Sequence, residues 1–119
     1  MTSLHGIRVL DLTGYLMGPF ATQILGDMGA DVIKIEAAEG DVVRGIGPTR
    51  SPGMGGIFQQ NNRNKRSIVL DLKQPAGRDA VLRLAKNADI FIYNVRPAAM
   101  ARLGLSYEAV SAANPAIIY

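Results

Sequence analysis

Short apolar runs rich in β-branched residues recur along this chain, and segments of helical periodicity separate them. No other feature restricts the fold as tightly. Ile7–Leu12 (IRVLDL), Asp31–Glu36 (DVIKIE), Ser67–Leu72 (SIVLDL) and Asp89–Tyr93 (DIFIY) read as four strands, because Val, Ile and aromatic side chains suit a pleated, buried surface. After the first, Gly18-Pro19 predicts a helix start, since proline is pre-set for the opening helical turn. Phe20, Ile24, Leu25 and Met28 predict the apolar face of that helix, and Gly29 predicts its end in the left-handed conformation. Pro75–Asn87 reads as a second helix, with Ala76, Ala80, Val81, Leu84 and Ala85 on one stripe. Ala98–Leu103 and Ser106–Ala113 read as two short helices parted by Gly104, and Ile117–Tyr119 as the start of a fifth strand. Alternating strand and helix predict an α/β fold, a Rossmann-like parallel sheet with helices on both faces. Strands that are apolar almost throughout agree, because such strands are buried on both sides. Ala37–Phe58 breaks the pattern: glycine-rich, with Pro48 and Pro52 and no periodicity, it reads as one long loop.

A length of 119 residues allows one domain, and an ending on Ile117-Ile118-Tyr119 reads as a truncated strand. With no Cys, a disulfide framework, a thiolate nucleophile and a cysteine zinc site are excluded. No apolar run approaches the roughly 20 residues that cross a bilayer, so no membrane association is expected. The start, Met1–Gly6, lacks the layout of a secretory signal, and a cytoplasmic location fits. Trp is absent, and the basic run Arg63-Asn-Lys-Arg66 has no aromatics beside it, so no nucleic-acid partner is expected. Between Val42 and Lys73 stand Arg44, Arg50, Arg63, Lys65, Arg66 and Lys73 against one acid, Asp71. Such a cluster either attracts an anionic partner or forms a solvated loop, and charge alone does not choose.

In open parallel sheets ligands collect beyond the carboxyl ends of the strands. The loops expected there are Thr13–Pro19, Ala37 onward, Lys73, and Asn94-Val95-Arg96-Pro97. Lys73 and Arg96 would share that edge, and two converging cations suit a phosphate, one as a point charge and the other as a flat bidentate donor. The plain alternative pairs each with a nearby acid, such as Asp71 or Asp89. A nicotinamide cofactor fits poorly, because Gly14-Tyr-Leu-Met-Gly18-Pro19 is not the dinucleotide fingerprint and Pro19 lacks an N–H. Glu36 stands where a ribose-binding acid could lie. His5 has no Ser or acid placed around it by spacing and reads as a surface residue. Asp11 is expected to bond a neighbouring loop rather than act as a base. No His/Asp/Glu spacing fits a metal.

Taken together, several motifs resemble the amino-terminal part of the family III coenzyme A transferases, the group that includes formyl-CoA transferase, carnitine CoA-transferase and α-methylacyl-CoA racemase. They are Gly6–Leu12, Gly18-Pro19-Phe20, Leu25–Glu36, Asn62–Lys73, Asn94–Pro97, Met100–Leu105 and Asn114-Pro115. The resemblance spans nearly the whole chain, and Asn62–Lys73 is its most specific piece. It implies that residues 1–119 form the coenzyme-A-binding segment of the family's large domain, with CoA or acyl-CoA as substrate rather than a bound cofactor. The implied contacts are Leu16, Met17, Ala37, Leu70, Asp71, Leu72, Lys73, Asn94, Val95, Arg96 and Arg102. Relatives carry a basic residue where Ala37 stands, and formyl-CoA transferase a glutamine where Leu16 stands. Tyr93 and Ala98 replace a more usual acid and glycine. The resemblance further implies CoA transfer between carboxylic acids, a homodimer, and a nucleophilic aspartate beyond Tyr119, so that no catalytic residue falls within the chain. A racemase of the same family and a non-catalytic binding or dimerisation remnant are the alternatives.

Overall fold

Four strands, β1 (Arg8–Leu12), β2 (Asp31–Glu36), β3 (Lys65–Val69) and β4 (Ile90–Tyr93), run parallel in the order β3-β2-β1-β4. They are joined by α1 (Met17–Asp27), α2 (Gly56–Asn61), α3 (Pro75–Ala85), α4 (Pro97–Arg102) and α5 (Tyr107–Ala113). The computed structural model describes residues 2–119. Ile118 bridges Ile90 in parallel, so the expected fifth strand begins beside β4. Strand order therefore turns back between β1 and β4, the switch point at which such sheets open a crevice. No described helix is long and apolar enough to cross a membrane.

The side-chain period of two sorts the strands onto two covered faces. Leu10, Ile33, Ile35 and Phe91 pack with Val81 and Ala85 of α3, Met100 of α4 and Val110 of α5. Val9 and Val32 face the other way, against Leu25 of α1. Helices thus lie on both faces, as the alternation predicted.

Three expectations change. First, β3 starts two residues before the predicted Ser67 and ends at Val69, although the N–H of Leu70 still donates to the Glu36 carbonyl at 2.9 Å. β3 is an edge strand exposed along most of its length, and an edge tolerates the charged start Lys65-Arg66 that a central strand would reject. Second, α1 begins at Met17 and turns most of its predicted apolar face outward: Phe20 is 46% exposed, Ile24 43% and Met28 42%, and only Leu25 of that set packs inward. The buried positions are Pro19, Thr22, Gln23 and Gly26. Polar groups beneath the helix decide this orientation, because Thr22 donates its hydroxyl to buried Asp11 at 2.6 Å. Gly26 permits close approach: a Cβ there would stand 3.1 Å from the Asn64 carbonyl oxygen. Third, Ala37–Phe58 is not a plain loop. It holds a 3-10 turn at Val42–Gly45, capped by the Asp41 side chain, and the start of α2. The segment folds around Gly55, where a Cβ would meet the carbonyl oxygens of Ile46, Arg44 and Val43 at 2.5 to 2.8 Å. The Arg44 guanidinium lies 3.7 Å above the ring of buried Phe58.

Candidate active-site rim

Beneath the carboxyl ends of β1 and β2 lies a buried ionic floor. The Lys34 ammonium, 1% exposed, donates to Asp41 Oδ2 at 2.9 Å and to the Thr13 carbonyl at 2.8 Å. The Lys65 ammonium faces Asp11 Oδ2 at 3.0 Å and donates to the Pro19 carbonyl and Asn62 Oδ1. Burial pushes the Lys65 pKa below its ordinary value, although the Asp11 carboxylate opposes the shift. Asp11 accepts from the Thr13 N–H, the Thr13 hydroxyl and the Thr22 hydroxyl, so it does bond its neighbouring loop as expected.

Above this floor the β1–α1 loop is held in an uncommon shape. Tyr15 has φ 67°, a left-handed conformation that non-glycine residues adopt only under constraint. Its N–H donates to Asp41 Oδ1 at 3.2 Å. The Asn94 amide clasps Gly14 from both sides, accepting its N–H at 3.0 Å and donating to its carbonyl at 2.8 Å. Asn94 therefore ties β1 to β4 across the switch point.

Two open clefts follow. One, of about 330 Å³, lies over the switch point and is lined by Gly14, Tyr15, Ala37, Asn94 and Val95 among others. The second, of about 350 Å³, lies at the β3 end of the rim, between the start of α3 and the end of α4. Leu72, Lys73, Arg78, Arg102 and Gly104 line it. Lys73 and Arg96 stand on the same rim, since both follow parallel strands, and both are exposed. Neither forms an ion pair among the described residues. Asp71 instead accepts the Lys73 N–H and Asp89 the Arg8 N–H. β3 and β4 lie three strand spacings apart, about 14 Å. Lys73 consequently shares its cleft with Arg102, while Arg96 caps the start of α4. Leu16 and Met17 are exposed at the entry to α1, 48% and 77%, and line neither cleft. Leu70 and Leu72 pack partly into the core.

The basic stretch divides by partner. Arg44 pairs with Glu36, Arg63 with Asp27, Lys65 with Asp11 and Arg66 with Asp31. Most of that positive charge is neutralised inside the fold, which leaves Lys73 as the member of the run facing a rim cleft with Arg102. Glu36 is likewise occupied and does not present a free acid to a ribose. Burial would raise its pKa, but hydrogen bonds from Arg44, Ser67 and the Asp41 N–H outweigh this and hold it at about 2. A carboxyl held low in the folded chain stabilises it above the ordinary value of 4.5, and that contribution drains as pH falls from 4.5 to about 2. The full contribution is about 3 kcal/mol. Glu36→Gln is expected to flatten the acid limb of stability in that window, measured by urea unfolding across pH. An acid limb as steep as the parent's would refute this role.

Sequence reasoning overlooked Lys34, Asp41 and Arg78. Lys34 carried a signal, as the one charge in the interior of a strand otherwise fit for burial on both faces. Arg78 carried none beyond its place in the first half of α3. Among the described residues no cluster of His, Cys, Asp or Glu could hold a metal.

The family model for CoA-transferase family III matches residues 4–119. The chain is 43% identical over 123 residues to a succinyl-CoA:mesaconate CoA-transferase from Haloarcula hispanica, covering 100% of the chain and 31% of that protein. A mouse succinyl-CoA:glutarate CoA-transferase is 44% identical over 120 residues, covering 100% of the chain and 28% of that protein. Among solved structures, a CAIB/BAIF family protein from Brucella suis superposes with a TM-score of 0.93 at 42% identity, over 99% of the chain and 32% of that protein. The chain thus spans about a third of the length of the relatives it matches.

Proposed function

From the premise that the chain belongs to CoA-transferase family III, an enzyme family, we propose that residues 1–119 supply the coenzyme-A-binding rim of a transferase. That enzyme moves CoA between carboxylic acids. The observation that carries this reading is the pair Lys73 and Arg102, two cations without acidic partners among the described residues, facing one cleft at the carboxyl rim. Arg96 stands further along the same rim beside the switch point. Phosphate groups match that chemistry, because a charge-assisted hydrogen bond from Lys or Arg is about twice as strong as a neutral one. The switch-point cleft is lined by uncharged groups of Gly14, Ala37, Asn94 and Val95 and by Lys34, Glu36 and Asp41, whose charges are already paired within the fold. It therefore suits the uncharged pantetheine arm. Relatives named for succinyl-CoA favour a short dicarboxylic acyl donor.

In this reading the nucleophile is an aspartate carboxylate outside residues 1–119, as the resemblance implies. A carboxylate is a weak nucleophile, so the thioester must be held close to it, and the rim described here does that holding. The outward apolar residues Leu16, Met17, Phe20 and Ile24 are then covered in a homodimer.

Free coenzyme A is expected to stabilise the folded chain. At a hundredfold excess over Kd, linkage gives about 2.7 kcal/mol, which is roughly 10 °C in melting temperature for a chain of this size. Thermal unfolding with increasing CoA checks it, and a folded protein whose melting point does not move at millimolar CoA would falsify the reading.

A further inference from the structure

We propose that Arg78 completes a three-cation pocket, with Lys73 and Arg102, for the 3′-phosphate of coenzyme A. This rests on the CoA reading above, but Arg78 lies outside the residues to which the family resemblance points. Three observations carry it. Lys73, Arg78 and Arg102 line one cleft of about 350 Å³, and among the described residues no acid lines it. Among the described residues Arg78 forms an ion pair only with Asp79, its neighbour in sequence, and the two side chains are 40% and 53% exposed. An exposed pair of this kind is weak enough for a doubly charged phosphate to displace it.

The third observation concerns how the cleft is built. Gly104 has φ +71°, and a Cβ there would stand 2.8 Å from Arg78 Cδ. The turn that ends α4 therefore passes directly beneath the Arg78 side chain, two residues after Arg102. On the other side, the first turn of α3 rests on the turn that carries Lys73: a Cβ on Gly77 would meet the Asp71 carbonyl oxygen at 2.0 Å. Two glycines thus fix the three cations around one opening. Gln74 and Pro75, at the N-terminus of the 11-residue α3, also line the cleft, so the positive end of that helix faces it.

Charge selects the monoester over the diphosphate bridge. A phosphate monoester carries close to two negative charges and three terminal oxygens on one phosphorus, which three cations in one cleft can match. Arg96, which lines neither cleft, is the exposed rim cation left for the diphosphate, whose charge is spread along the chain of the ligand.

Isothermal titration with coenzyme A and with 3′-dephospho-CoA tests this. The parent is expected to bind CoA at least tenfold more tightly. Arg78→Gln should weaken CoA about tenfold, leave dephospho-CoA unchanged and so erase the preference, whereas Arg78→Lys should keep part of it. Adenosine 3′,5′-bisphosphate should displace CoA from the parent at least tenfold better than 5′-AMP, a measurement that needs no variant. Equal binding of CoA and dephospho-CoA by the parent overturns the pocket while sparing the CoA reading. So does a loss in Arg78→Gln that is the same for both ligands, or no loss at all. Binding of neither ligand by the folded parent overturns both.

Discussion

Lys65→Met is expected to destabilise the chain by about 3–5 kcal/mol, a large part of the 5–15 kcal/mol that holds a domain folded. Lys65 is 2% exposed and Asp11 0%, so the substitution leaves a carboxylate in the interior without its cation. Thr13 and Thr22 still donate to Asp11, but neutral donors do not offset the desolvation of a full charge. Urea unfolding at neutral pH measures the loss. Adding Asp11→Leu should recover much of it, because the cost lies in the unpaired charge rather than in the absence of the pair. A single variant within 1 kcal/mol of the parent would show that the floor of the site does not depend on this ion pair. The effect should reach the rim as well, since Lys65 also donates to the Pro19 carbonyl inside the first turn of α1.

The second large effect is on ligand affinity rather than on folding. Lys73→Ala and Arg102→Ala should each weaken coenzyme A binding about 10- to 100-fold, from the 1.5–3 kcal/mol typical of a charged hydrogen bond. Combined, they should bring binding below detection at micromolar protein. Both side chains are exposed and without ion pairs among the described residues, so the unliganded melting temperature should hardly move. Arg50→Ala is the matched control: it removes a cation of the same basic stretch that lines neither rim cleft. If Arg50→Ala and Lys73→Ala weaken CoA equally, the site is a diffuse positive field, not a built cleft. Raised salt separates the two further, since screening acts over about 8–10 Å at physiological strength and spares close contacts.

Much of the architecture was legible along the chain because it depends on local periodicity. Strand β2 fell where DVIKIE placed it, and β1 and β4 each start one residue later than read. α3 starts at Pro75 as read and α5 one residue after the Ser106 read as its start, with Ser106 capping α5 through the Ala109 N–H. α2 was hidden, as six residues among glycines and prolines give periodicity too little length to register. The face of α1 was misread at Phe20, Ile24 and Met28, though not at Leu25, for a more instructive reason. Helical spacing identifies which residues share a stripe, but not whether the partner surface is apolar. Here the surface under α1 carries Asp11 and the Lys65 ammonium, so Thr22 and Gln23 turn in while Phe20 and Ile24 turn out.

The candidate site divides the same way. That Lys73, Asn94 and Arg96 belong to the carboxyl rim follows from their places after β3 and β4, because parallel strands send every following loop to one edge. Arg102, by contrast, is implied only by the family resemblance. Which cations meet is a matter of strand order and helix length, and neither is written locally. Strand order separates β3 from β4, and α4 runs back from Arg96 to deliver Arg102, not Arg96, to Lys73. The sequence by itself determined the alternation, the parallel sheet and the edge at which chemistry gathers, since each rests on residue spacing and backbone preference. Only the tertiary structure decided which charges are spent on one another inside the fold and which stay free to meet a ligand, because ion pairing is settled by distances between residues far apart in the chain.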